Sequence, residues 1–143
     1  MQITIRPAEI PNLYAPVPDG LYTVRISEFE DNEGAKGPWA KVNMMICEGE
    51  FAETRMLTDN WMFMDNALWR TLEKISAFAG HDVSQDEEFN FDSDEFIGLE
   101  ANVMTSQGTY PIKDPKPGGP TEAVKSEITG YYMVSDSPVG TTV

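Results

Sequence analysis

One cysteine and one histidine stand in 143 residues, and each scarcity removes a class of chemistry. A lone cysteine cannot close an internal disulfide. Cys47 and His81 have no companions with which to build a Ser-His-Asp set, a Cys-His pair or a metal cluster of recognisable spacing. The chain therefore reads as a non-enzyme that needs no metal or other cofactor. No apolar run approaches the roughly 20 residues that cross a bilayer. The opening MQITIRPAEI has neither the basic flank nor the apolar stretch of a secretory leader. The expectation is a cytoplasmic protein with no membrane partner.

Positive charge is also short. Ten Lys and Arg face 24 Asp and Glu, a net charge of -14, and such a balance repels nucleic acid at long range. The excess is uneven: residues 81 to 100, HDVSQDEEFNFDSDEFIGLE, hold eight of the acids and no Lys or Arg. A neutral or basic face elsewhere is therefore open. With Phe89, Phe91 and Phe96 interleaved, segment 82 to 95 is either a solvated loop anchored by aromatics or a mimic of a nucleic-acid strand.

What remains is the composition of one globular domain with a single core. Pro7, Pro11, Pro16 and Pro18 make residues 1 to 19 an extended arm. LYTVRISEFE then alternates Tyr22, Val24 and Ile26 against Thr23, Arg25 and Ser27, the period of a strand. DNEGAKG reads as a hairpin connection, and PWAKVNMMICEGE as a second strand with Val42, Met44 and Ile46 toward the core. In a third strand, TRMLTDNWMFM, neither parity is cleanly apolar, so its faces stay unassigned.

DNALWRTLEKISAFAG changes to three- and four-residue steps through Leu68, Leu72, Ile75 and Phe78. It is a helix capped by Asp65 or Asn66 and ended by Gly80, with His81 meeting its dipole. Asp92 or Ser93 caps a short acidic turn. A fourth strand runs through Leu99, Ala101 and Val103, and a fifth through Ile128, Tyr132 and Val134. Between them YPIKDPKPGGPTEA reads as an irregular excursion, and 135 to 143 as a frayed tail. Cys47 reads as a small buried hydrophobe.

Three strands, a helix and two strands is the order of an OB-fold: mostly β, a five-stranded partly open barrel with one helix between strands 3 and 4. Residues 20 to 134 would form it. On its outer face Trp39, Lys41 and Asn43 alternate, and non-specific binding of single strands needs such stacking surfaces beside cations. Alternation places Arg25 on the same face, and Arg55 and Trp61 extend it. Tyr110 and Lys113 on the long loop would form a lid. The competing reading is a solvated strand face with one aromatic tucked against the arm.

PVPDGLYTVRI, GPWAKVNMMICEGEF, TRMLTDNW and NALWRTLEKISAFAG together resemble a family of bacteriophage OB-fold proteins related to single-stranded DNA-binding proteins. The likeness covers roughly residues 16 to 134. It rests on a Pro-x-Gly-x-Tyr opening to the first strand, a Gly-x-Trp-x-Lys second strand ending in an acidic-Gly turn, and a Leu-Trp helix. It implies a protein that coats single-stranded DNA during replication or recombination, with Trp39 and Lys41 in the binding strand, in the cytoplasm of an infected host.

Phage or host replication and recombination proteins would be further partners, and oligomeric state stays open. The chain departs from the family pattern at Glu53-Thr54, where a glycine turn would be typical, and in its acidic helix-to-strand connection. The alternative is an OB-fold protein-interaction or phage assembly module that binds no nucleic acid.

Overall fold

The alternation of LYTVRI is built as β1, Gly20–Gly34, in a computed structural model that describes residues 1–4, 12–64 and 66–134. Pro7, Pro11, Asp65 and the tail 135 to 143 lie outside the described residues. β1 pairs antiparallel with β2, Gly37–Ile46, from Val24↔Ile46 to Gly34↔Gly37. The expected connection of seven residues is thus a two-residue turn, Ala35 and Lys36. A glycine on each side, with Gly37 at φ 131°, lets the ladder continue through a polar stretch that side-chain pattern alone reads as loop.

Val24, Ile26, Ala40, Val42, Met44 and Ile46 are buried. A bulge skips Ser27, so Phe29 follows Ile26 onto the inner face opposite Val42. There its ring meets Trp61 edge-on at 5.4 Å. β3, Met56–Met62, pairs Leu57 with Met44 and Trp61 with Ala40. This resolves its two parities: Leu57, Asp59 and Trp61 face inward.

Helix α1, Leu68–Ala79, buries Thr71, Ile75, Ser76, Ala77 and Phe78, and stops at Gly80 with φ 81°. Its N-cap is Ala67, without a side-chain bond, so Asn66 does not serve as the expected cap. After a single 3-10 turn, Val83–Gln85, α2, Ser93–Phe96, is capped by Asp92, whose carboxylate accepts from the Asp94 N–H. Phe89, Phe91 and Phe96 pack on the core cluster, so aromatics anchor the acidic segment.

β4, Glu100–Pro111, and β5, Glu122–Tyr132, form a long hairpin paired as far as Pro111↔Glu122. Both ends of the expected excursion are therefore ladder, and only 112 to 121 is turn. A bulge in β5 skips Thr129, pairing Gly130 with Met104 and Ile128 with Thr105. The skipped residue shifts the parity, so Tyr131 rather than the expected Tyr132 joins Ile128 against the core. Val134 lies beyond the strand and is exposed.

The five strands make one open, all-antiparallel sheet in the order β3-β2-β1-β4-β5, with α1 between β3 and β4 in sequence. Its edges, β3 and β5, come into contact without a shared ladder. The arm bridges one end of the gap. The Leu13 carbonyl accepts from Met56 N at 2.6 Å, and Val17 N donates to Ser126 Oγ at 2.8 Å. Val17 is fully buried there. Elsewhere along the gap Tyr131 and Lys74 both reach Asp59, at 2.6 and 2.8 Å. No helix among the described residues is long and apolar enough to cross a membrane.

Candidate nucleic-acid interface

Because the edges meet through side chains, a groove of about 500 Å³ remains along the seam. Tyr14 from the arm, Lys41 from β2, Thr58 and Asn60 from β3, and Lys125 and Ser126 from β5 line it. Lys41 is exposed, with Glu30 beside it on β1 and Asn60 on β3. Lys125 lies over the Tyr110 ring at 5.7 Å and 3.5 Å from Glu127. Asp59, the other lining carboxylate, is bound by Lys74. Each lining acid thus has a cation beside it, and the groove is close to neutral in a chain of net charge -14.

The residues expected to form one binding face divide sharply. Lys41 is in the groove, and Tyr110, 43% exposed, joins it through Lys125. Tyr110 is a β4 residue paired with Ala123, so it belongs to a hairpin strand and not to a loop lid. Lys113 is exposed on the turn of that hairpin.

Trp61 is fully buried among Phe29, Phe78, Phe91 and Tyr131 and offers no stacking surface. Its inward parity, set by pairing with Ala40, is the cause. Asn43 is buried too, and its Oδ1 accepts from the Thr58 hydroxyl at 2.8 Å.

Arg25 forms a two-pronged pair with Glu53. The guanidinium bond holds the Glu53 carboxyl below its ordinary range. Glu53 itself takes φ 62°, the left-handed region that glycine adopts most readily. Arg55 is committed as well: its guanidinium sits 5.5 Å from the Phe51 ring and donates to the Thr54 carbonyl at 2.9 Å.

Trp39 lines a different pocket, with Phe63 and Phe91 as walls and Asp31, Glu33 and Asp92 around it. Three carboxylates there disfavour a phosphate backbone. Tyr14, Asn60 and Lys125 complete the groove and were missed by pattern reading. Lys125 had a signal in the sequence, a cation opening the last strand; Tyr14 had none, because its place depends on how the arm crosses the seam.

The lone thiol and imidazole occupy other surroundings. Cys47 is half-buried just past β2, not a core residue, because its Sγ reaches outward to Glu100 at 3.1 Å. Burial first, then the Glu100 carboxylate, push this thiol up to about 12. His81 lies exposed beside Asp86 at 3.1 Å. Among the described residues no group of three or more His, Cys, Asp or Glu is placed to hold a metal ion. No protein-family model matches the sequence, and no curated protein matches it.

Proposed function

We propose that the chain is an OB-fold protein that binds single-stranded DNA, without catalysis, in the groove between β3 and β5. The observation that carries this reading is that Lys41, Lys125 and Tyr14 line that seam, with Lys125 lying over the Tyr110 ring. A strand order of β3-β2-β1-β4-β5 with a helix after β3 is that of an OB barrel opened between its third and fifth strands, which supports the fold assignment. Rings that accept any base and cations that accept phosphate are what binding without sequence preference requires. Stacking contributes about 1 to 3 kcal/mol per base, enough for moderate affinity where the local charge is neutral. Coating of strands in replication or recombination is the role such binding would serve.

The test is fluorescence anisotropy of a labelled oligo-dT of about 30 nucleotides, at low and high salt, beside its duplex form. Selective binding of the single strand that weakens with salt supports the reading, because displaced counterions make phosphate contacts salt-dependent. A second reading, a protein-interaction module, is favoured by Glu28 and Glu30, which stand on the outward face of β1 opposite Asn43 and Lys41. Absence of single-strand binding at low salt would leave that reading in place.

A further inference from the structure

The helix carries an exposed aromatic that the seam groove does not use. Trp69 is 56% exposed, and the guanidinium of the adjacent Arg70 lies 5.1 Å from its ring centre. Together with Lys74, Ile128 and Thr129 the pair lines a second hollow on the same side of β5. Ile128 is a wall of both hollows. Lys74, on the far side, reaches across to Asp59 and the Asn60 carbonyl in the near one. The two hollows therefore adjoin at Ile128, with Lys74 and Tyr131 meeting Asp59 between them.

Arg70 is the exposed cation of this extension; Lys74 is held by Asp59, and Glu73 is the one acid on the lining. A tryptophan face with a guanidinium beside it is the pairing that stacks a nucleobase while meeting its phosphate. On these grounds we infer that Trp69 and Arg70 form a second base-stacking subsite for single-stranded DNA, adjoining the groove at Ile128 and entered only by strands long enough to cross it. The inference rests on the seam groove being the primary site.

Two oligonucleotides separate the two ideas. An oligo-dT of about 6 nucleotides fills the groove alone, and one of about 20 spans both hollows. Trp69→Ala is expected to weaken the longer by about tenfold and the shorter by less than about twofold. Trp69→Phe should restore most of the loss, since it keeps a ring. Arg70→Gln should lower the salt slope for the longer oligonucleotide by about one contact. Trp69 is exposed, so the variants keep their fold, which a thermal melt would confirm. If wild type binds both lengths and W69A matches it on each, the subsite is overturned and the groove stands. If wild type binds neither length, the groove reading falls and the subsite with it.

Discussion

Tyr131 on β5 donates its phenolic proton to Asp59 on β3 at 2.6 Å, across a gap that no backbone ladder closes. Asp59 takes Lys74 at the same oxygen, and Trp61 Nε1 reaches the Tyr131 hydroxyl at 3.4 Å. Strand edge, helix and opposite edge thus converge on one carboxylate.

Tyr131→Phe keeps the ring and removes only the hydroxyl. It is expected to cost about 1 to 2 kcal/mol, because Asp59 loses a donor in a site water does not fully reach. A fall of about 3 to 6 °C in Tm would show it in a thermal melt. An unchanged Tm would mean that the Tyr131–Asp59 bond adds nothing to the Lys74 pair and the arm contacts.

Alkaline pH should loosen the domain through two groups. Burial, and then Asp59, hold the Tyr131 phenol well above its ordinary value of 10.0, and the Cys47 thiol is pushed up from 9.0 to about 12. Above those ordinary values the unfolded chain releases protons that the folded chain keeps, so stability falls as pH rises. Their contribution is full below about pH 8.5 and lost progressively toward 12. Urea midpoints measured from pH 8 to 11 should decline, and Cys47→Ser should remove the part of the decline that starts near pH 9. The same raised thiol predicts alkylation of Cys47 by iodoacetamide at pH 8 at least about tenfold slower than that of free cysteine.

Groove and non-groove cations should separate in binding. Lys41→Glu and Lys125→Glu are each expected to weaken single-strand affinity by about tenfold at low salt, through lost phosphate contact and added repulsion. Arg25→Ala should change it by less than about twofold, because Glu53 already holds that guanidinium. Trp39→Ala should behave likewise, since its pocket is rimmed by acids. Loss of binding on Arg25 or Trp39 substitution, with Lys41 and Lys125 tolerant, would relocate the interface.

The arm should contribute to stability out of proportion to its size. Val17→Ala removes fully buried methyl groups, at about 2 kcal/mol, and Ser126→Ala strands the Val17 N–H, at about 1 kcal/mol. The two sites share one contact, so the double variant should lose less than the sum. Urea midpoints of the three variants would measure it.

Five strands and a helix were legible in the sequence because alternation and three- to four-residue steps are local properties. Val24, Ile26, Val42, Met44 and Ile46 all face inward as their parity requires. Two bulges were not legible: nothing in the alternation marks Ser27 or Thr129 as the residue that drops out of the ladder. The second one exchanged Tyr132 for Tyr131 and so hid the seam network. Trp61 shows the same limit from the other side. An aromatic that suits a stacking platform equally suits a core, and only the inward parity of β3, set by its pairing with β2, decides between them.

Leu13 and Val17 attach to Met56 and to Ser126, and the second attachment joins residues 109 positions apart. A nascent chain can pair β2 with β1, and then with β3, soon after each emerges. Apart from the Leu13 contact at Met56, the β3 edge meets its neighbour across the gap only after β5 has been synthesised, and contacts this distant slow the final step. Through most of translation the β3 edge therefore remains an open template for another strand. Production of this protein should accordingly be limited by crowding of half-made chains more than by the stability of finished ones.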